Sequence, residues 1–274
     1  MARVIPGNRL RNYIYLGLIA APRNLIRQYL LGFYRIELVY SALREAKRLC
    51  AGRLTILEFG TAQGYAFTKM LYAIRYLSME DRVIAHTFDS FEGMPPPSHQ
   101  GDRDLVGDDT WYEGQFGGGY DELRAYCQHN YPRTHAIHKG FFETTITPAF
   151  LNTLRNEPPI LIWIDCDFYS STRVVFERLL PYIPSGCIVY FDDYELLNFG
   201  SRFTGEARFV AEINSGLFGK NIELVLDKKL TFDSSRVYRF VRTGEGPRYK
   251  LREGIRSTDT TNRRLDESND SLLP

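Results

Sequence analysis

Short apolar runs alternate with segments of helical spacing along most of the chain. Seven runs are typical of buried or half-buried strands: LTILEFG, RVIAHTFDSF, THAIHKG, PILIWID, GCIVYFDD, NIELVLD and SRVYRFVR. Between them, segments such as FTKMLYAIRYL and STRVVFERLLPYI carry apolar residues three and four apart, as helices do. The pattern therefore predicts an α/β, Rossmann-like doubly wound fold with a mainly parallel, seven-stranded sheet.

The two ends of the chain differ from this alternating region. Residues 1–50 mix apolar and basic positions at helical spacing, which predicts an N-terminal helical extension. It is interpreted as a cap or lid, with a dimer interface or a helix lying on an anionic membrane as alternatives. Its apolar stretch YIYLGLIAAP is too short to span a bilayer and lacks a convincing cleavage site. Residues 51–242 are predicted to form the folded domain, and the polar residues 243–274 a disordered tail.

Composition excludes some classes of function. A formal net charge of +1 over 274 residues gives no overall field for nucleic acid. The four cysteines have no zinc-type spacing, which favours a reduced, cytoplasmic protein. The five histidines suggest no ligand pair, since His135 and His138 of one strand are predicted to point to opposite faces.

Carboxylates follow two of the predicted strands at the point where each strand ends. Asp165 follows ILIWI, and Asp192 and Asp193 follow CIVYF. If the two strands are neighbours, the three carboxylates converge and repel one another, so a positive charge must compensate them. A hard divalent cation such as Mg²⁺ is the preferred interpretation, and a network of aspartates with arginines is the alternative.

A glycine-bearing turn follows the first strand. In LEFGTAQG, Glu58, Gly60, Thr61 and Gly64 have the spacing E-x-G-x-x-x-G, which differs from the phosphate-binding and dinucleotide-binding glycine motifs. No lysine follows to meet phosphates, so the turn suits a nucleoside without phosphates. The second strand ends in FDSFEG, where an acid such as Asp89 commonly binds ribose hydroxyls.

These motifs resemble those of class I S-adenosylmethionine-dependent methyltransferases, and among them the macrocin O-methyltransferase family. The matching pieces, in order, are LEFGTAQG, FDSFEGMP, KGFFETT, IDCDFYSST and IVYFDDY. The resemblance implies metal-dependent methylation of a hydroxyl, often on a sugar of a natural product, with S-adenosylmethionine and Mg²⁺ as cofactors. It assigns the metal to Asp165, Asp192 and Asp193.

The same resemblance implies a set of nucleoside contacts. They are predicted at Glu58, Gly60, Thr61, Gly64, Asp89, Ser90, Phe141 and Phe142. Phe141 or Phe142 would stack on adenine, although either could instead belong to the core.

For the chemistry, Asp165 is hypothesised to bind Mg²⁺ and also to accept the proton of the acceptor hydroxyl. His138 is a weaker candidate base. Asp167 is expected to support the site or to cap a helix, and Ser170 to Thr172 suit the N-cap of the following helix.

The acceptor is predicted to be a small hydroxylated molecule, possibly a sugar. Trp111, Tyr112 and Phe116 could stack on it, or could belong to a surface loop. The chain could also form a homo-oligomer.

Two other classes of function remain open from the sequence. Asp165-Cys166-Asp167 has the Asp-x-Asp form with which nucleotide-sugar glycosyltransferases hold a metal and a diphosphate. A non-catalytic scaffold that docks through the basic N-terminal helices is the other. A haloacid-type phosphatase fits less well, because its nucleophilic aspartate normally ends the first strand.

Overall fold

A computed structural model describes most of the chain between residues 36 and 249. The described ranges are 36–97, 99–106, 112–195, 203–231, 235–244 and residue 249. The predictions for residues 1–35, for Trp111 and for almost all of the tail lie outside these ranges.

Seven strands form one sheet in the order β3-β2-β1-β4-β5-β7-β6. The strands are β1 Leu54–Phe59, β2 Val83–Asp89, β3 His135–Lys139, β4 Pro159–Ile164, β5 Ile188–Phe191, β6 Ile222–Leu226 and β7 Arg236–Arg242. β1 to β5 are parallel, and β7 is antiparallel to both of its neighbours. The predicted mainly parallel, seven-stranded sheet is confirmed.

Helices cover both faces of this sheet. They are α1 Ile36–Leu49, α2 Tyr65–Tyr76, α3 Gln100–Val106, α4 Tyr120–Asn130, α5 Phe142–Thr145, α6 Pro148–Thr153, α7 Tyr169–Leu179 and α8 Gly205–Asn214. A short 3₁₀ helix, Leu180–Tyr182, follows α7. The apolar sides of α1, α2 and α4 belong to one buried cluster, and those of α6, α7 and α8 to a second. Every residue of β1 and β4 is buried, as expected for central strands covered twice.

The carboxyl ends of the three central strands meet at one edge. The ladder continues past them, since the Asp165 N–H donates to the Phe59 carbonyl (2.9 Å) and the Asp192 N–H to the Ile164 carbonyl (3.0 Å). The Gly60 N–H likewise donates to Phe88 (3.0 Å). The residues just beyond β1, β4 and β5 therefore lie side by side, which is where parallel α/β sheets place their ligands.

The start of α7 differs from the prediction. The helix begins at Tyr169 with Phe168 as N-cap, and no side chain of the Ser170–Thr172 segment caps it. Instead, the Ser170 N–H donates to the carboxylate of Asp102, which is completely buried in α3 (3.2 Å). The N-cap prediction is wrong because the partner of this amide comes from a distant segment. α3 itself lies in the polar region between β2 and α4, where no helix was predicted.

The structure bears on the prediction of reduced cysteines and on the prediction that the apolar stretch does not span a bilayer only through its described residues. All four cysteines are free thiols, and three of them are buried. Within the described part of the chain, no helix has the length and apolar character needed to cross a bilayer.

Candidate active site

Three carboxylates converge at the edge formed by β4 and β5. Each of Asp165, Asp192 and Asp193 offers an oxygen that lies within 4.8 Å of those of the other two, and all three side chains are half-buried. The Tyr190 hydroxyl donates to Oδ1 of Asp192 and orients that carboxylate. This acid trio has the oxygen donors and the close spacing that Mg²⁺ and similar hard cations require. The residues present therefore fit a divalent cation.

Two more acids lie behind the trio. Asp167 is 7% exposed, has its backbone in the left-handed region (φ 57°), and has one carboxylate oxygen that bonds to none of the described residues. Glu206, in the first turn of α8, is 1% exposed. Burial, followed by the charge of Asp193, raises the pKa of both carboxyl groups well above their usual values. This edge of the sheet thus concentrates carboxyl groups, and the environment of the two buried ones favours their neutral forms.

Glu58 lies under the glycine turn rather than at its surface. Its side chain is completely buried and accepts a hydrogen bond from the Thr87 hydroxyl, which in turn contacts the Thr61 hydroxyl. Burial, above all, and the charges of Asp165 and Asp89 raise the pKa of Glu58 to about 8, despite the opposing hydrogen bonds. Glu58 is therefore mostly protonated at neutral pH, and it is connected to the glycine turn through the Thr87 and Thr61 hydroxyls.

Asp89 fastens the glycine turn to the end of β2. Its Oδ2 accepts from the backbone N–H groups of Thr61 (2.7 Å) and Ala62 (2.9 Å), and its Oδ1 accepts from Phe91 (2.6 Å). An ionised carboxylate can accept about four hydrogen bonds, so acceptor capacity remains on this half-buried group. Ser90 is buried and bonds within its own turn, donating to the Gly93 carbonyl.

Gly60 and Gly64 are required by close contacts. A Cβ on Gly60 would lie 1.7 Å from the carbonyl oxygen of Asp165, and one on Gly64 would lie 2.3 Å from the Leu123 side chain. Both backbones also have positive φ. The glycine turn is therefore packed directly against the backbone of the first carboxylate of the acid trio.

The glycine-rich loop before α4 packs on the turn after β2. The Met94 N–H donates to Gln115 and the Gly118 N–H to Phe91 (2.9 and 2.8 Å). A Cβ on Gly93 would lie 2.3 Å from the Gly114 carbonyl. On this loop Tyr112 and Phe116 are exposed, at 59% and 51%.

The two phenylalanines after β3 have different surroundings. Phe141 is 43% exposed at the N-cap of α5. Phe142 is partly buried and packs its ring edge-on against Phe59, with centroids 5.5 Å apart. Of the two rings, that of Phe141 is the more exposed.

His138 lies in an aromatic cluster away from the acid trio. Its Nε2 is 3.0 Å from Nδ1 of His86, and its ring stacks on Phe88 at 4.2 Å. Burial lowers the pKa of both histidines, that of His86 to about 3. Since β3 is three strand positions from β4, ~14 Å at the usual strand spacing, the geometry disfavours His138 as the base. The prediction that the histidines offer no metal-ligand pair did not address this contact, which was not predicted from the sequence.

Comparison with known proteins gives a family and a fold. The profile of the macrocin O-methyltransferase (TylF) family matches residues 32–224. The solved O-methyltransferase NovP is 21% identical, with a TM-score of 0.57 over 76% of this chain and 80% of its own. The calicheamicin methyltransferase CalS11 is 19% identical, with a TM-score of 0.57 over 89% and 95%. An apo structure of CalS11 is 15% identical, with a TM-score of 0.51 over 89% and 97%. No curated protein matches significantly.

Sequence reasoning missed Glu206 and Asp102. Glutamate is common in the first turn of a helix, where it usually faces solvent and where its negative charge interacts favourably with the helix dipole. Asp102 lies in a polar stretch without periodicity. No local signal marks either residue as buried, since both are buried by elements distant in sequence.

Proposed function

The chain belongs to the macrocin O-methyltransferase family, and on this premise we propose that it methylates a hydroxyl of a small glycosylated natural product. The methyl donor is S-adenosylmethionine, and a divalent cation such as Mg²⁺ binds the acid trio. The observation that carries the proposal is the direct packing of Gly60 on the backbone of Asp165. A nucleoside on the glycine turn and an acceptor at the acid trio would then be neighbours.

The glycine turn and the segments around it supply the nucleoside site. The turn from Gly60 to Gly64 follows the end of β1, where ligands of such sheets bind, and Asp89 keeps acceptor capacity for ribose hydroxyls. The exposed ring of Phe141 is suited to stack on adenine. Glu58, Thr61 and Ser90 act by holding these segments in place.

The acid trio supplies the cation site and the base. Asp165, Asp192 and Asp193 would hold the cation, which orients the acceptor hydroxyl and lowers its pKa from about that of water, 15.7. Asp165 also accepts the proton of that hydroxyl, because its backbone packs directly on the glycine turn proposed to hold the methyl donor. The rest of the rate enhancement comes from positioning the two substrates.

The acceptor class is inferred from two observations. CalS11 is described as a TDP-rhamnose 3′-O-methyltransferase of calicheamicin biosynthesis. Tyr112 and Phe116 are exposed aromatic rings of the kind that stack on sugars. We therefore propose a sugar, free or attached to a larger molecule, as the acceptor. The glycosyltransferase and scaffold alternatives are not retained, because family membership favours methyl transfer.

Location and assembly belong to the same proposal. Four free thiols favour a reducing compartment, so we propose the cytoplasm. A role of the N-terminal residues as lid, dimer interface or membrane contact stays a prediction, as do the homo-oligomer and the disordered tail.

Asp165→Asn tests the proposed chemistry. The amide cannot accept the proton and binds a cation poorly, so methyl transfer should fall by at least about 10²–10⁴-fold. The measurement is S-adenosylhomocysteine release with Mg²⁺ and a panel of nucleotide sugars. Calorimetry should show that binding of S-adenosylhomocysteine itself is nearly unchanged.

The matched control is Asp81→Asn, at an exposed aspartate that pairs with Arg133 on the surface. It should behave as wild type in both measurements. Normal turnover of Asp165→Asn would refute the role of Asp165. Failure of the wild type to bind S-adenosylhomocysteine would refute the methyltransferase proposal itself.

A further inference from the structure

Tyr190 lies directly beneath one carboxylate of the acid trio. It belongs to β5, it is 2% exposed, and its hydroxyl donates to Oδ1 of Asp192, two residues further along. Alternate residues of a strand face the same side of a sheet, and the ladder continues through Asp192, whose N–H donates to the Ile164 carbonyl (3.0 Å). The phenol therefore reaches this carboxylate from the apolar core.

A second aromatic ring fixes the position of Tyr190. Trp163 of β4 is its cross-strand partner, is also 2% exposed, and packs against it with a centroid distance of 3.9 Å. Trp163 precedes Asp165 by two residues, as Tyr190 precedes Asp192. Two carboxylates of the acid trio thus each follow one ring of a buried pair. A ring packed in this way cannot turn away from Asp192 without opening the core.

The hydrogen bond from Tyr190 opposes the repulsion within the acid trio. Without a cation, the ionised carboxylates of Asp165, Asp192 and Asp193 push one another apart. A half-buried side chain at a strand end can rotate in response, whereas a donor fixed in the core holds Asp192 in place. Because a carboxylate can accept about four hydrogen bonds, the one from Tyr190 leaves capacity for a cation on the same group.

We propose that Tyr190 is a positioning residue of the cation site. Its hydroxyl holds Asp192 in the orientation in which the acid trio binds a divalent cation, and Trp163 holds the ring of Tyr190. This inference rests on the proposed function, because that function supplies the cation. Groups that support metal ligands in this way set both the orientation of the ligand and the affinity of the site.

Tyr190→Phe tests the inference, because it removes the hydroxyl and keeps the ring. Cation affinity should fall by about 10- to 100-fold, the usual effect of losing a group that orients a metal ligand. A hydroxyl that only drew charge away from Asp192 would have a different effect, since its removal would leave the affinity unchanged or raise it. Trp163→Phe keeps the hydroxyl but loosens the ring, so it should weaken binding in the same direction and by less.

The experiment is titration of purified full-length protein with Mn²⁺, with the free ion followed by electron paramagnetic resonance and Mg²⁺ as competitor. Tyr131→Phe is the matched control. Tyr131 is 2% exposed in the same buried cluster, but it contacts the start of β3, at the amino ends of the parallel strands and away from the acid trio. Calorimetry with S-adenosylhomocysteine checks that the glycine turn is intact.

Ultraviolet difference spectra give a second readout, which a purely structural role of Tyr190 would not affect. An ion on Asp192 changes the hydrogen bond that the Tyr190 phenol donates, and the absorption of the phenol changes with it. Wild type and Tyr131→Phe should therefore show a tyrosine difference band when Mg²⁺ is added, and Tyr190→Phe should lack it.

The expected result is weaker Mn²⁺ binding by Tyr190→Phe and loss of its difference band, with Tyr131→Phe and the nucleoside affinity as in wild type. Wild-type or tighter Mn²⁺ binding by a folded Tyr190→Phe variant would overturn the inference and leave the proposed function standing. If that variant does not fold, wild-type binding by Trp163→Phe would overturn it instead. An equal loss in Tyr131→Phe would do the same, since the effect would then belong to the core as a whole. If the wild type bound no Mn²⁺, the cation site itself would be refuted.

Discussion

At the scale of single residues, Gly60 connects the two halves of the candidate site. Its backbone has φ +89°, and the space where a Cβ would stand is filled by the Asp165 carbonyl. That carbonyl belongs to the end of a central strand and cannot move without disturbing the sheet. Gly60 brings the glycine turn to the acid trio, and it therefore tolerates no side chain.

Gly60→Ala should lower the free energy of unfolding by at least about 4 kcal/mol, or prevent folding. The added Cβ would clash with the Asp165 carbonyl, and alanine is also strained at this positive φ. Gly52→Ala is the matched control. Gly52 has a similar φ of +82° but nothing within 4 Å of the added Cβ, so only the left-handed strain of about 1–2 kcal/mol applies. Urea unfolding of both variants measures the difference. Equal losses would show that the contact with Asp165 has no energetic consequence.

The pair His86–His138 makes stability depend on pH. Burial lowers the pKa of His86 from 6.5 to about 3, and that of His138 in the same direction. The unfolded chain therefore takes up protons first, and stability falls as pH drops from 6.5 towards 3. The slope reaches about 1.4 kcal/mol per pH unit for each histidine that stays neutral.

Urea unfolding between pH 7 and pH 4 should show this loss, and His86→Phe should have a smaller slope. His129→Phe, at an exposed position of α4, should keep the wild-type slope. The comparison uses slopes because the Phe variant also removes a hydrogen bond from His138. An unchanged slope in His86→Phe would contradict the role of the pair.

At the scale of elements, Asp102 fixes α3 to the start of α7. Its two oxygens accept from the backbone N–H groups of Ser170 (3.2 Å) and His99 (3.3 Å). One carboxylate thus satisfies an otherwise unbonded amide at the N-terminus of α7 and closes the turn that begins α3. Since α7 follows the strand that ends just before Asp165, this contact positions α3 near the site.

Asp102→Ala should destabilise the protein by about 1–2 kcal/mol, the usual value for a lost N-terminal cap. Hydrogen exchange should accelerate at the amides of residues 99–103 and at Ser170 more than in the strands. Asp121→Ala, in the first turn of α4 but exposed, serves as the control. Unchanged exchange at Ser170 would mean that the carboxylate does not hold the helix.

The elements also show what a sequence can and cannot predict. Apolar runs ending in Asp165 and Asp192 were sufficient to place carboxylates at strand ends, because strand ends are local features. Their convergence depended on β4 and β5 being neighbours, which the structure confirms. The contact of His86 with His138 depends on the register of β2 and β3, where His86 faces Ala136, and no local pattern fixes a register.

At the scale of the whole molecule, α1 is part of the main core. Its apolar side, including the completely buried Leu43, belongs to the same cluster as β1, α2 and β4. An ion pair between residues near opposite ends of the described sequence adds to this packing. Arg239 of β7 binds Glu45 of α1 through two hydrogen bonds (3.1 and 2.9 Å) and also Asp227 beyond β6 (3.0 Å).

Arg239→Met tests whether this network holds the N-terminal helix to the far edge of the sheet. The three side chains are only 16–28% exposed, so removing the cation leaves two poorly solvated carboxylates facing each other. A completely buried pair would cost 3–5 kcal/mol, and with partial solvent screening we expect about 2–3 kcal/mol. Arg133→Met, which breaks a pair exposed at 75% and 86%, should change stability by less than about 0.5 kcal/mol.

Urea unfolding measures both variants, and hydrogen exchange of α1 separates two mechanisms. If the network holds α1, its amides in Arg239→Met should exchange faster than those of β1 under native conditions. If α1 is held by its apolar side alone, the amides of α1 and β1 should change together, through global unfolding only. Because Leu43 and its neighbours stay buried in either case, unfolding should remain one cooperative transition. A separate early transition of α1 would contradict the conclusion that this helix belongs to the main core.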